Sequence, residues 1–184
     1  MESRSDEDIA RRVQAGESAL FGTLVERYEA KLLRYARKFL LLTDDAKDVV
    51  QEVFMKAYAN MRGFDASKRF SPWIYRIAHN EFVNAGKKRQ ALRLVPLMDF
   101  DELFPHPTAP ENPESDAERS ELRRMLDGCL AKIGGKYREA LVLRYFEEMD
   151  YREIADVLAV PVSTVGIRLK RGKALLAELV KGKI

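Results

Sequence analysis

A chain of 184 residues can form one domain or two small ones, and 46% hydrophobic with 33% charged residues predicts a globular protein. No apolar run approaches the ~18 residues of a membrane span, and the polar N-terminus does not resemble a signal peptide. The single cysteine, Cys129, excludes an internal disulfide and suits a reducing cytosol.

Charge divides the chain into three blocks. Residues 1–94 carry 18 basic and 13 acidic residues, residues 95–120 carry 1 and 7, and residues 121–184 carry 13 and 9. Two basic blocks separated by an acidic one predict two surfaces that meet a polyanion, joined by a segment that avoids it.

The first 61 residues predict three helices. A short helix over 5–15 is followed by a long amphipathic helix over 18–41, and the third runs from an N-cap at Thr43 to about Met61. The third helix buries one apolar face. Its other face carries several acids and a methionine, which indicates either a solvated surface or a protein partner: Asp44, Asp45, Lys47, Asp48, Gln51, Glu52 and Met55.

A loop, Arg62–Arg69, and a helix from Pro72 to about Lys88 come next, with Ser71 as the expected cap. Trp73 either packs in the core or stacks against an unpaired base, because aromatic rings beside cations and amides suit single-stranded nucleic acid. His79 is predicted to be a polar surface residue, since His106 is distant in sequence and no metal-ligand spacing is present.

Residues 95–118 contain five of the seven prolines and are predicted to form an extended acidic linker. A second helical domain follows, with an apolar central helix over 137–146. Tyr151–Lys173 then predicts two short helices joined by a tight turn, with Pro161 at the first position of the second helix. This pattern is typical of a DNA-binding helix-turn-helix and favours that interpretation over an ordinary helical hairpin with a solvated basic face.

The order of the motifs along the chain says more about the kind of protein than any single motif does. DDAKDVVQEVFMKAY, FSPWIYRIAHNEF with a basic tail, an acidic proline-rich linker and YREALVLRYFEEMDYREIADVLAVPVSTVGIRLKRGKALL together resemble an extracytoplasmic-function (ECF, group 4) sigma factor of bacterial RNA polymerase. The resemblance implies an all-α fold of two small helical domains. Residues 1–94 would be region 2, residues 95–118 the linker and residues 119–184 region 4.

The resemblance also implies function. Such a chain would be a promoter-specificity subunit that binds core RNA polymerase through the β′ clamp helices and the β flap, recognises the −10 and −35 elements and helps open the DNA of a stress or envelope regulon. It would lie in the cytoplasm, where an anti-sigma factor could hold it at the inner membrane without any membrane insertion of its own.

Three sets of residues match the family's contact positions. Polymerase binding would use Asp44, Asp45, Asp48, Gln51, Glu52 and Met55. Capture of a flipped base of the −10 element would use Arg62, Phe64, Asp65, Lys68, Trp73, Arg76 and Asn80, and Lys87, Lys88 and Arg89 would hold phosphates nearby. Recognition of the −35 duplex would use Arg144, Tyr151, Ser163, Thr164, Arg168, Lys170 and Arg171.

The sequence departs from the family pattern in the recognition helix, where Gly166 and Ile167 stand in place of a basic residue and a serine. These residues predict −35 recognition that depends on DNA shape and phosphate contacts, or on a different register. An alternative function is an autonomous helix-turn-helix regulator that binds duplex DNA without polymerase. No phosphate-binding loop, metal-ligand pair or nucleophile motif occurs, so neither an enzyme nor a cofactor is predicted.

Overall fold

The computed structural model describes residues 4–40, 46–92 and 117–182. Within them the chain forms eight helices and no strand: α1 (Asp6–Gln14), α2 (Phe21–Leu40), α3 (Ala46–Ala59), α4 (Phe70–Leu92), α5 (Ala117–Ala131), α6 (Gly135–Tyr145), α7 (Tyr151–Leu158) and α8 (Val162–Lys181). Short 3₁₀ turns, Ser18–Leu20 and Met61–Gly63, precede α2 and follow α3. None of the described helices is long and apolar enough to span a bilayer. The predicted all-α fold of two helical domains is confirmed.

Helices α1 to α4 form the N-terminal domain around an aromatic core. Tyr28 and Tyr35 of α2 meet rings of α4, with centroids 5.4 Å apart for Tyr28 and Phe70 and 5.0 Å apart for Tyr35 and Phe82. Each such ring pair contributes about 0.5–1.5 kcal/mol beyond the area that it buries. The cluster therefore fixes α4 against α2 and determines which side of α4 remains outside.

Helices α5 to α8 form the C-terminal domain, in which α6 and α7 support α8. Val165 and Leu169 of α8 are buried. Gly172 allows the closest approach to α6, because a Cβ at this position would lie 3.1 Å from two side-chain atoms of Leu141. The opposite side of α8 consequently faces solvent.

Local signals define the turn of the helix-turn-helix. The Asp150 carboxylate accepts hydrogen bonds from the backbone N–H groups of Arg152 and Glu153, and the Glu153 side chain accepts one from the Asp150 N–H. The Asp150 hydrogen bond from the Glu153 backbone lowers the pKa of that carboxyl. At the other end of α7, Ala159 has left-handed backbone angles (φ 51°, ψ 47°), a conformation that favours glycine.

The two domains are in contact through carboxylates of the C-terminal domain. Glu147 accepts hydrogen bonds from Nε and Nη2 of Arg34, at 2.9 and 2.8 Å, and from the Tyr75 hydroxyl at 2.5 Å. Glu139, buried within α6, accepts one from the Tyr35 hydroxyl at 2.5 Å and lies 2.6 Å from Nδ1 of His79. Burial, reinforced by these carboxylates, raises the pKa of both phenols. Polar groups thus form much of this contact.

Three sequence-based predictions about residues in this framework are wrong. His79 is half-buried and faces Glu139 rather than solvent. Helix α4 begins at Phe70 and not at Pro72. Proline is tolerated in this first turn because it lacks an N–H group, and the first four N–H groups of a helix have no intrahelical acceptor. Pro161 is the N-cap of α8 and not its first helical residue.

The structure also shortens the predicted linker. Helix α5 begins at Ala117, so the last two residues of the predicted linker, 117 and 118, are helical. The rest of that segment, residues 95–116, lies outside the described residues.

Candidate nucleic-acid interfaces

One side of α4 forms a polar stripe that runs away from the preceding loop. Trp73, Arg76, Asn80 and Lys87 recur at three- and four-residue spacing, so they share one face of the helix. Arg76, Asn80 and Lys87 are exposed and Trp73 is half-buried. Tyr75 and His79, which touch the C-terminal domain, lie on a different face. The contact between domains therefore leaves this stripe open.

The Trp73 ring packs against two other aromatic rings. Its ring centroid lies 5.0 Å from that of Phe64 and 5.4 Å from that of Phe70, and both phenylalanines are buried. Phe64 is consequently placed beneath Trp73, not at the surface, whereas part of the indole remains accessible. This arrangement provides a held ring on which a base can stack.

Helix α1 braces the loop, a role that the sequence did not reveal. The Gln14 side-chain amide donates hydrogen bonds to the carbonyls of Met61 and Phe64, at 2.9 and 2.7 Å. Glu7 accepts a hydrogen bond from the Phe70 backbone N–H at 3.0 Å, which satisfies a donor at the start of α4. Both acceptors of Gln14 are backbone atoms, so no residue pattern near the loop could have indicated the contact.

Five cations around this stripe form no ion pair in the part of the chain that the structure describes. This holds for Arg62 and Lys68 in the loop and for Arg76, Lys87 and Lys88 on α4, all of which are exposed. Asp65, the acid among them, accepts hydrogen bonds from the Ser67 hydroxyl and backbone N–H, and these bonds lower the pKa of its carboxyl. The side chain of Arg89 lies outside the described residues. The remaining charges are available to phosphates.

A second surface follows the exposed side of α3. Asp48, Gln51, Glu52 and Met55 are all exposed, and Met55 has 57% of its surface in solvent. Asp44 and Asp45 lie outside the described residues. Beside this acidic face, α2 and α3 form an apolar groove of about 520 Å³, whose lining residues include Phe21, Leu33, Phe54, Met55 and Tyr58. An acidic face with an apolar groove suits a protein partner better than DNA.

The helix-turn-helix forms a third surface. Ser163, Lys170 and Arg171 are exposed, and Thr164 and Arg168 are half-buried. Within the described parts of the chain, Arg168, Lys170, Arg171 and Lys173 form no ion pair. This surface is therefore a cationic helix face carried on a rigid support.

Tyr151 and Arg144 extend that surface across the start of α7. The Arg144 guanidinium carbon lies 5.8 Å from the centroid of the Tyr151 ring, and its Nη1 donates a hydrogen bond to the Met149 carbonyl at 2.9 Å. A Cβ at Gly166 would lie 3.9 Å from the Tyr151 ring. The structure thus brings the predicted −35 residues of α6, α7 and α8 onto one side of the C-terminal domain.

Family models match both domains. A Sigma-70 region 2 model matches residues 24–92, and a Sigma-70 region 4 model matches residues 123–176. The ECF RNA polymerase sigma-E factor of Haemophilus influenzae is 30% identical over 188 residues, which cover 100% of this chain and 97% of that protein. The chain belongs to the ECF sigma factors.

Two further comparisons agree with this membership. The RNA polymerase sigma-H factor of Pseudomonas aeruginosa is 32% identical to this sigma factor, over 96% of this chain and 94% of the relative. The solved structure of CnrH in complex with the cytosolic domain of CnrY aligns with a TM-score of 0.73 and 28% identity, covering 98% of this chain and 100% of that one.

Family membership gives the function in outline. The protein is a promoter-specificity subunit of bacterial RNA polymerase and acts in transcription initiation. The alternative of an autonomous helix-turn-helix regulator is not favoured, because relatives named as polymerase sigma factors match both domains and nearly the whole chain.

Proposed function

We propose that this sigma factor brings core RNA polymerase to its promoters through the three surfaces described above. The exposed face of α3, with Asp44 and Asp45, binds the β′ clamp helices. The loop Arg62–Arg69 and the stripe of α4 capture a flipped base of the −10 element. Helices α7 and α8 bind the −35 duplex, and the C-terminal domain meets the β flap. Residues 1–94 and 119–184 form the two functional domains, joined by residues 95–118.

One observation carries the proposal. The acidic residues lie on α3 and the cations lie on the loop, α4 and α8; the two sets meet at Lys88, which lines a pocket with Asp48 and Glu52. Because the sets lie on different elements, the chain can bind a protein and DNA at the same time. A flipped base costs a few kcal/mol to unstack, and a held indole beside exposed cations compensates for that cost. The chain itself supplies no catalytic group in this scheme, because the polymerase performs the chemistry in the cytoplasm.

An inhibitory protein partner belongs to the same proposal. CnrH, a relative of known structure, is in complex with the cytosolic domain of CnrY. The groove between α2 and α3 adjoins the residues assigned to the clamp helices, so an anti-sigma factor seated there would exclude polymerase. Competition between the two proteins would then regulate this chain.

Reconstitution with core polymerase tests the three assignments separately. Glu52→Lys should abolish holoenzyme assembly, because it reverses a charge in the acidic face. Trp73→Ala should leave assembly intact and reduce promoter opening, measured by permanganate reactivity of unpaired thymines. Arg171→Ala should weaken duplex binding and lower the salt slope of log K by about 0.9 if it contacts one phosphate. Glu178→Gln, an exposed change on α8, is the control.

The outcomes distinguish the surfaces from one another. Holoenzyme assembly that survives Glu52→Lys would contradict the role of α3. Normal opening by Trp73→Ala would contradict base capture at α4, without affecting the other two assignments.

A further inference from the structure

The recognition helix presents a large apolar side chain in the middle of its outward face. Ile167 has 54% of its surface exposed, whereas Val165 and Leu169 on either side of it are buried. At 100° per residue, positions 163, 167, 170 and 174 lie within about 60° of one another, on the side opposite the buried residues. Ile167 therefore lies between Ser163 and Lys170 on the side turned away from the domain.

This position is the one that approaches base edges. In a helix-turn-helix, the N-terminal part of the second helix lies in the major groove and contacts the bases. Ile167 is in the second turn of α8, and Gly166 before it carries no side chain that could screen it. A Cβ at Gly166 would meet only the Tyr151 ring, at 3.9 Å, so packing within the domain does not require glycine there.

The charges that follow Ile167 on α8 indicate duplex DNA as the occupant of this face. Arg168, Lys170, Arg171 and Lys173 come after Ile167 along the helix, and none of them forms an ion pair within the described residues. An apolar protein partner would desolvate these cations without compensation, whereas phosphates on both sides of a groove would neutralise them.

An isoleucine can read only one feature of the major groove. It has no hydrogen-bonding group, so the donors and acceptors of guanine, cytosine and adenine give it nothing to pair with. The C5-methyl group of thymine is the one apolar group exposed there. We propose that Ile167 is a specificity-determining residue that contacts a thymine methyl group in the −35 element.

This inference rests on the proposed function of α8 as the −35 reader and makes it more specific. It adds a direct contact to one base pair to the sequence-based expectation of recognition that depends on DNA shape and phosphate contacts, or on a different register. Losing one buried methyl group should reduce affinity about fourfold.

The experiment removes the methyl group from the DNA and the side chain from the protein in turn. Promoters are first selected with the reconstituted holoenzyme, and each thymine of the −35 element is then replaced by deoxyuridine, which lacks only the C5-methyl group. With the unaltered protein, one position should lose about fourfold in affinity. Ile167→Ala should bind the thymine promoter about fourfold more weakly and show no further loss with deoxyuridine at that position.

Leu175→Ala serves as the matched control. Leu175 is also an exposed apolar residue of α8, with 38% of its surface in solvent, but it lies two turns further from the N-terminus. It should retain the full response to deoxyuridine.

Two contrary results are distinguishable. Suppose that the holoenzyme still transcribes the promoter. The Ile167 contact alone is then overturned if no deoxyuridine substitution lowers the affinity, or if Ile167→Ala shows the same loss of affinity with deoxyuridine as the unaltered protein. A chain that fails to assemble with polymerase or to bind any promoter overturns the proposed function and this contact with it.

Discussion

Replacing Glu147 by glutamine should separate the two domains of the free protein. Glu147 is the acceptor for both Arg34 nitrogens and for the Tyr75 hydroxyl, and all three donors belong to the N-terminal domain. The change retains the shape of the side chain but removes its charge and presents an amide NH₂ to a guanidinium group. The interface then holds a cation without its counter-charge.

The size of the effect follows from the burial of the pair. Removing one partner of a fully buried ion pair costs about 3–5 kcal/mol. Glu147 keeps only 1% of its side chain exposed, but Arg34 keeps 40%, so solvent stabilises the arginine left behind. We therefore expect a loss of about 2 kcal/mol, which shifts the ratio of open to closed forms by roughly thirtyfold.

Small-angle X-ray scattering measures this change directly. A compact chain of this length has a radius of gyration of about 16 Å, and the variant should exceed that value while its helix content by circular dichroism stays constant. Asp156→Asn, an exposed carboxylate on α7 that forms no ion pair among the described residues, should leave the radius unchanged. A variant that remains as compact as the parent, with both domains folded, would refute the role assigned to Glu147.

Five other substitutions test separate parts of the structure. Ala159→Gly should raise the free energy of unfolding by about 1 kcal/mol in urea denaturation, because glycine adopts left-handed angles without strain; an unchanged value would mean that the turn is unstrained. Gly172→Ala should lower the same quantity by about 1–2 kcal/mol through overpacking. Gly166→Ala, where a Cβ would make an ordinary contact with the Tyr151 ring, should raise it by up to about 1 kcal/mol, and equal effects would contradict the close approach. Gln14→Ala should weaken binding of single-stranded −10 DNA about fivefold in fluorescence anisotropy and speed amide exchange in the loop, since two carbonyls lose their donor; unaltered exchange would count against the brace. Because burial raises the folded-state pKa of Tyr75 above its ordinary value of 10, its contribution to stability is complete below about pH 10 and declines as the pH rises further. Tyr75→Phe should flatten that alkaline decline, and an identical pH profile would show that this phenol does not cause it.

The periodic spacing of apolar residues in the sequence was sufficient to predict the helices and the two domains. Residues such as Val165 and Leu169 repeat at the spacing of a buried helical face, and the structure buries both. The capping signal at Asp150 similarly indicates where α7 begins. Local backbone rules and burial of apolar faces determine these features, and both are visible in a single sequence.

The contact between domains was not predictable from the same patterns. Glu139 lies in a helix that reads as apolar, and its partners, Tyr35 and His79, are distant in sequence. A buried carboxylate is tolerated only because those partners satisfy it, and their positions depend on the complete fold. The same reasoning applies to Phe64, whose place beneath Trp73 depends on the packing of α4 against the loop.

The polar groups in the contact between the domains would allow the domains to separate to the distance that a promoter requires. Elements named −10 and −35 lie about 25 base pairs apart, which is about 85 Å at 3.4 Å per base pair, whereas here the domains touch. The 24 residues numbered 93–116 can reach at most about 80 Å when fully extended. Buried apolar residues of the two domains belong to one connected core, so opening exposes part of it to water, but the carboxylates, phenols and guanidinium group of the contact are readily hydrated when they separate. Because the polar stripe of α4 and the outward face of α8 both lie away from the contact, opening would set the distance between the two proposed DNA-binding surfaces and is not needed to uncover either one.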